Sequence, residues 1–335
     1  MISLWIYLVL MLIIILVSSQ LFTNALEHFG QKISISAGVT GSIFAAITTA
    51  LPETSVPIIA LIAGTPDKLV NQEISVGAIL GAPLMLSTLS TFIMALSVIK
   101  QRGINGKVTP EKTGFVRDLN FFLVAFFLAA IAMYVPLDPI YLRTGISLIL
   151  IGIYISYLVL TCMASNALVV NGHGVSPEEP MILTKIGLKN NGVTLVIQLI
   201  LATLLLLFGA KGFINGVETI SKALHVSALL FSLLIIPLAT ELPEKVNSIL
   251  WLRKNKDTLG FGNITGAMVF QGTLLPALGI LLTPWQPSRI IQTGMFITFV
   301  AATWLRINAS STGLRIKALM VNGVLYLLYL YLVFS

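Results

Sequence analysis

Residues 49–53 read Thr-Ala-Leu-Pro-Glu, and residues 240–244 read Thr-Glu-Leu-Pro-Glu, at a constant offset of 191 residues. Both stretches lie well inside long apolar segments. A proline within a membrane helix has no amide hydrogen and clashes with the preceding turn, so each helix is expected to kink or break there. Carbonyl oxygens freed by such a break persist at membrane depth only where they line a polar cavity or bind an ion.

Glu53 and Glu244 directly follow the two prolines. Placing a carboxylate in hydrocarbon costs a few kcal/mol or more even on lenient scales, so each residue is expected to need a cation or a proton. One such glutamate could be explained as a protonated side chain bonded to a neighbour. Two copies at matching positions favour an ion site, and we predict Glu53 and Glu244 as its core ligands.

Three nearby residues are candidates for the same site. Thr49 and Thr240 lie four residues before the glutamates, one helical turn away on the same face, and offer hydroxyl or carbonyl oxygens. Hydrogen bonding back within their own helices is the alternative role for both threonines. Glu241 lies three residues before Glu244, and we predict it as an auxiliary ligand or proton carrier. The alternative is that Glu241 faces a polar loop or pairs with Lys245.

The two stretches belong to a longer internal repeat. Residues 22–53 align without a gap to residues 213–244, and nine of the aligned pairs are identical. Further on, residues 77–82 match residues 262–267, each with two glycines four residues apart. Such glycine pairs allow helices to approach closely, so we expect these segments to pack against the broken helices. The predicted domains are a first five-helix repeat at 1–164, a linker at 165–192 and a second five-helix repeat at 193–335.

The composition indicates a membrane protein. Hydrophobic residues make up 56% of the 335 residues and charged residues only 10%, compared with roughly a quarter charged in soluble domains. The net charge of +7 gives no indication of a nucleic-acid partner, because excess Lys and Arg in such a chain mostly sets its orientation. Ten segments are long and apolar enough to cross a bilayer, near 2–21, 35–61, 74–99, 119–136, 142–164, 193–211, 226–251, 259–283, 289–305 and 317–334.

This pattern predicts an all-α polytopic membrane protein with ten transmembrane helices. Because each half has five helices, the second repeat enters the membrane from the opposite side, which is the plan typical of alternating-access carriers. Fourteen of the twenty Lys and Arg residues fall in loops on one side of the membrane and five on the other. The positive-inside rule predicts that the richer side is cytoplasmic and that both termini are external.

Other functional classes receive little support from the sequence. It lacks His-Glu-x-x-His and Gly-x-Ser-x-Gly, and no histidine lies deep in a predicted span, which argues against an intramembrane enzyme. A non-transporting assembly protein would leave the duplicated membrane carboxylates unexplained. We predict no enzymatic activity and no cofactor, with the lipid bilayer and inorganic cations as partners and the prokaryotic plasma membrane as the location.

The duplicated Leu-Pro-Glu, with a glycine pair in the helix that follows, resembles the cation/calcium exchanger superfamily, which includes the sodium/calcium exchangers. Each repeat of that family carries Gly-Thr-Ser-x-Pro-Glu, followed by Gly-Asn-x-x-Gly-Ser-Asn in the next helix. The resemblance covers essentially the whole chain and implies ten helices, two inverted repeats and external termini. By position, it places the family's calcium-binding glutamates on Glu53 and Glu244 and its motif threonines on Thr49 and Thr240.

The chain departs from the family pattern at several of the oxygen-bearing positions. The motif serine corresponds to Ala50 in one half and Glu241 in the other. The Asn or Asp that completes the family's site corresponds to Pro83 and Met268, and the Gly-Asn step survives only as residues 262–263. Losing these oxygens argues against the family's sodium sites.

The sequence therefore predicts an antiporter that exchanges a divalent cation, with Ca²⁺ preferred, for Na⁺ or H⁺. Hard divalent cations take oxygen ligands, so Mg²⁺ and Mn²⁺ stay open as cargo. A carrier of another cation on the same fold, including a monovalent one, is the first alternative. A membrane assembly protein is the second.

Overall fold

The structure is a computed structural model that describes the backbone of residues 2–32, 51–169 and 180–335. Side chains are described there except at 26–27, 30–32, 51, 164–169 and 243–244. This part of the chain is almost entirely helical. Its elements are α1 (Ile2–Lys32), α2 (Leu51–Ala63), α3 (Lys68–Met85), a π-helical segment (Leu86–Ser90), α4 (Thr91–Arg102), β1 (Lys107–Val108), α5 (Lys112–Ala132), α6 (Ile140–Val169), α7 (Ile182–Lys185), α8 (Gly192–Leu224), α9 (Ala228–Thr240), α10 (Leu242–Arg253), α11 (Asp257–Leu282), α12 (Arg289–Asn308), β2 (Leu314–Arg315) and α13 (Ile316–Phe334).

Eight helical stretches of the described residues are long and apolar enough to span a bilayer, which confirms a polytopic membrane protein. They correspond to eight of the ten predicted segments, although α1 and α8 continue past the predicted ends at 21 and 211. The other two predicted segments, 35–61 and 226–251, contain the Leu-Pro-Glu stretches. The first is described only from Leu51, as α2, and the second is divided into α9 and α10.

The chain forms two compact units, and each unit contains parts of both predicted repeats. The first comprises Met1–Asn71 and Ser156–Val226, and the second comprises Gln72–Ile155 and Ser227–Ser335. The Leu-Pro-Glu stretch at 51–53 therefore lies in the first unit, and the stretch at 242–244 lies in the second unit. The division of the sequence into repeats at 1–164 and 193–335 remains a prediction.

In the first unit, α1 lies along α8, and α2 also packs against α8. Glycines of α8 allow the close approach of α1, because a Cβ atom at Gly209 would lie 2.9 Å from Ile14 and one at Gly216 would lie 2.8 Å from Leu8. A buried amide of α8 ties the segment around α7 to this pair. Gln198 donates to the Leu21 carbonyl at 2.9 Å and accepts from the Leu183 amide at 3.0 Å.

In the second unit, α5 and α10 pack against α11, while α13 packs against α4 and α12. Tight contacts again use glycine, since a Cβ at Gly272 would lie 2.6 Å from the Phe122 ring. The two-residue strands β1 and β2 pair antiparallel and join the loop after α4 to the loop before α13. Arg102, at the end of α4, binds both carboxylate oxygens of Asp257, at 2.7 and 2.8 Å. These contacts hold the ends of α4, α10 and α11 together.

A π-helical segment interrupts the long helical stretch from Lys68 to Arg102. It follows Pro83, which has no amide hydrogen to donate to the preceding turn and so weakens the regular ladder there. Asn322 of α13 donates to the Ser87 carbonyl in this segment at 2.6 Å. The Asn322 side chain thus provides a hydrogen-bond donor for a carbonyl of the π-helical segment.

Candidate cation site

The second Leu-Pro-Glu stretch lies at a helix break, as predicted. Helix α9 ends at Thr240, Glu241 has φ −86° and ψ 6° between the helices, and α10 begins at Leu242. Pro243 lies in the first turn of α10, where its missing amide hydrogen removes no helical hydrogen bond. A second proline, Pro237, lies inside α9. The break lies at Glu241, two residues before Pro243, which is the proline from which a break was predicted.

Glu241 is fully buried at this break and forms an ion pair with Lys245. The Oε2 atom of Glu241 lies 3.2 Å from Nζ of Lys245, which is itself only 5% exposed. Nζ also donates to the Pro237 carbonyl at 3.2 Å, and Nε2 of Gln271 donates to Oε1 of Glu241 at 3.4 Å. The carboxylate is therefore compensated by a positive charge from its own helix. This is the alternative that the sequence left open for Glu241.

Sequence reasoning considered Lys245 only as a possible partner of Glu241 and gave it no part in ion binding. Its signal was present, because Glu241 and Lys245 are four residues apart and share one helix face. Gln271, a buried residue of α11, also belongs to this site. Its Oε1 makes no hydrogen bond to the described residues, so the amide carbonyl offers a neutral ligand beside Glu241.

Thr240 is buried, and its hydroxyl donates to the Ile236 carbonyl at 3.0 Å. This is the back-bonding role considered for the motif threonines. A hydroxyl that donates its hydrogen backwards keeps oxygen lone pairs that can face a cation, so the bond is compatible with a ligand role. On the neighbouring helix, Asn263 donates to Oγ of Ser248 at 3.0 Å and joins α11 to α10.

Glu53 lies in the first described turn of α2, within the first unit, and is only 4% exposed. The hydroxyl of Ser55 donates to the Pro52 carbonyl at 3.1 Å in the same turn. Of the other predicted ligands, Thr49 lies outside the described residues, and Glu244 is described only as a backbone position in α10. The convergence of Glu53 and Glu244 on one ion therefore remains a prediction.

The first predicted glycine pair does pack against the broken helix. A Cβ at Gly77 would lie 2.7 Å from the Leu229 carbonyl, and one at Gly81 would lie 2.7 Å from the Pro237 side chain. This confirms close packing of α3 on α9. A Cβ at Gly262, in the second pair, would meet none of the described atoms within 4 Å. The packing of this second pair against a broken helix remains a prediction.

Comparisons with known proteins agree with the family resemblance of the sequence. The family model described as sodium/calcium exchanger protein matches residues 3–163 and 194–335. The candidate antiporter CaxA of Alkalimonas amylolytica is 33% identical over 88 residues, which cover 26% of this chain and 28% of that protein. The aligned part thus spans under a third of that relative.

Three solved structures share the fold. The H⁺/Ca²⁺ exchanger CAX has a TM-score of 0.71 at 16% identity, covering 99% of this chain and 82% of that chain. Native YfkE has a TM-score of 0.70 at 13% identity, covering 100% and 92%. The sodium-calcium exchanger NCX_Mj has a TM-score of 0.57 at 21% identity, covering 98% of both chains. The family model spans most of both halves of the sequence, and the chain therefore belongs to the sodium/calcium exchanger protein family.

Proposed function

We propose that this chain is a secondary antiporter that moves a divalent cation, with Ca²⁺ as the first candidate, in exchange for protons. The observation that carries the proposal is the duplicated Leu-Pro-Glu, which places a glutamate directly after a proline inside an apolar segment of both halves. Glu53 is buried in α2, and Glu244 follows the break at the start of α10. A carboxylate held away from water needs a compensating positive charge, which a transported cation supplies.

The cargo follows from the oxygen donors of the proposed site. Glu53 and Glu244 would be the core ligands, with Thr49 and Thr240 adding hydroxyl oxygens. Ca²⁺ accepts six to eight oxygen ligands in flexible geometry, whereas Mg²⁺ demands a tighter octahedron and gives up its waters reluctantly. The names of CAX and NCX_Mj both include calcium, which supports Ca²⁺ as the cargo here.

The counter-ion follows from the oxygens that this chain lacks. Sodium needs several neutral oxygens in a fixed arrangement, and Ala50, Pro83 and Met268 provide none at positions where the family has them. Pro83 and Met268 are both buried, within α3 and α11. The two similar structures differ in this respect, since CAX is named for protons and NCX_Mj for sodium. We therefore favour protons as the exchanged ion.

Ion flux in proteoliposomes tests this proposal. Purified protein in sodium-free vesicles with an acidic interior should take up radioactive calcium, and uptake should stop when the pH gradient is collapsed. A sodium gradient imposed at constant pH should drive much less uptake. Protein-free vesicles prepared identically provide the control.

Each alternative gives a different result in the same assay. Strict dependence on sodium would overturn proton exchange and leave calcium as the cargo. Uptake of Mg²⁺, Mn²⁺ or a monovalent ion without any calcium flux would overturn the cargo. Absence of every ion flux from well-folded protein would favour the assembly role.

A further inference from the structure

At the helix break of the second half, two charged residues have no charged counterpart at the corresponding positions of the first half. At the offset of 191 residues, Glu241 corresponds to Ala50 and Lys245 corresponds to Thr54. The two differences have opposite sign and lie four residues apart, one on each side of the Leu-Pro-Glu glutamate. At these two positions the second half carries a carboxylate and an ammonium where the first half carries neither, and the net charge is the same.

The surroundings of the Lys245 ammonium are those of a small bound cation. Nζ lies 3.2 Å from a Glu241 carboxylate oxygen and 3.2 Å from the Pro237 carbonyl oxygen, and both residues border the helix break. Carboxylate and backbone carbonyl oxygens at broken membrane helices are the donors that carriers use for Na⁺. The ammonium is only 5% exposed, so it does not reach the surface as most long basic side chains do.

We propose that Lys245 supplies, as a permanent part of the protein, the single positive charge that a monovalent cation would otherwise bring to Glu241, and so excludes sodium from this position. This inference rests on the proposed function and deepens it, because it makes Lys245 a determinant of ion selectivity. The ammonium compensates Glu241, so this carboxylate needs no monovalent cation. Without Lys245, the buried Glu241 carboxylate would need one.

The decisive experiment measures sodium binding rather than transport. Radioactive sodium is titrated into purified wild type, Lys245→Met and the neutral double variant Glu241→Gln/Lys245→Met. Lys245→Met should bind sodium about tenfold or more tightly than wild type, because it keeps the buried carboxylate and loses the competing charge. The double variant should bind no more sodium than wild type, since it lacks both charges.

The chain offers a matched control in a second pair with the same spacing. Lys222 lies 2.6 Å from Glu218, and its side chain is 63% exposed. Lys222→Met should not gain a sodium site, because the Lys222 ammonium is largely exposed and water can take its place beside Glu218. If Lys245→Met is not monodisperse in detergent, Lys245→Gln takes its place, since an amide can still donate to the Pro237 carbonyl.

The results separate this inference from the proposed function. Equal sodium binding by wild type and the Lys245 variants would overturn the inference, and so would an equal gain in Lys222→Met. Either result leaves calcium exchange by wild type untouched. Conversely, a gain of sodium binding in Lys245→Met together with no divalent flux in wild type would support the inference and overturn the proposed function.

Discussion

Buried carboxylates in this chain differ in the groups that compensate them. Asp257 is held by the Arg102 guanidinium and by the Thr109 amide at 2.7 Å, where α11 begins. Asp118, at the start of the apolar part of α5, accepts from the Thr265 hydroxyl at 2.7 Å. Both lie near helix ends and have partners that explain their burial as structural. Removing such a partner costs more than the pair contributes, because it leaves a buried charge.

Glu53 and Glu241 differ from these two residues because they belong to the proline-containing stretches, Glu53 directly after Pro52 and Glu241 two residues before Pro243. The partner of Glu241 is Lys245, four residues further along the chain, in the first turns of α10. A lysine in this place serves both as a structural counter-charge and as a competitor for any ion that approaches Glu241. This dual role is why the residue beside the motif matters as much as the motif itself.

At the scale of helices, α3 packs closely on α9, the helix that ends at the break. Gly81→Ala should lower the melting temperature in detergent by several degrees, because the added Cβ would meet the Leu233 carbonyl and lie 2.7 Å from the Pro237 side chain. Thermal unfolding followed by fluorescence measures the change.

Gly145→Ala is the matched control for this substitution. Gly145 lies in α6 within the same unit, and a Cβ there would meet none of the described atoms within 4 Å. The melting temperature of this variant should equal that of wild type or be slightly higher, because alanine favours the helix more than glycine does. An equal loss of stability in both variants would contradict the packing argument.

The sequence predicted these elements to different degrees. Hydropathy located the spans, and Pro243 predicted a break that the structure places at Glu241. Hydropathy could not locate the ends of α1 and α8, because polar residues that favour helices continue them. The pairing of β1 with β2 was also beyond prediction, since two-residue strands joined across the chain carry no periodic signal. The pairing of Glu241 with Lys245 was one of the roles that the sequence left open, and the structure shows that pair together with a hydrogen bond from Gln271 of α11.

At the scale of the whole molecule, the distribution of basic residues predicts which loops face the cytoplasm. Single cysteines at Lys107 and Lys254, in a variant with Cys162→Ser, should resist membrane-impermeant maleimides added to intact cells. A cysteine placed after Ser335 should react. The basis is the positive-inside rule applied to fourteen loop residues against five.

The structure adds an internal check to this prediction. Arg102 binds the Leu252 carbonyl at 2.9 Å as well as Asp257, so the loops that carry Lys107 and Lys254 adjoin each other within one unit. The two sites must therefore label from the same side. Labelling of both cysteines from outside would show that the predicted orientation is wrong. Labelling of only one of them would contradict the number of helices predicted between the two loops.

The central claim is that the glutamates of the two Leu-Pro-Glu stretches bind the transported ion. Calcium uptake by proteoliposomes of Glu53→Gln, Glu244→Gln and Glu218→Gln tests it most directly. Glutamine keeps the shape and one oxygen but removes the charge, so the first two variants should fall to the level of protein-free vesicles while remaining monodisperse. Glu218→Gln makes the same chemical change at a partly buried carboxylate outside the Leu-Pro-Glu stretches, and this variant should transport like wild type. Wild-type uptake by either Glu53→Gln or Glu244→Gln would contradict the account.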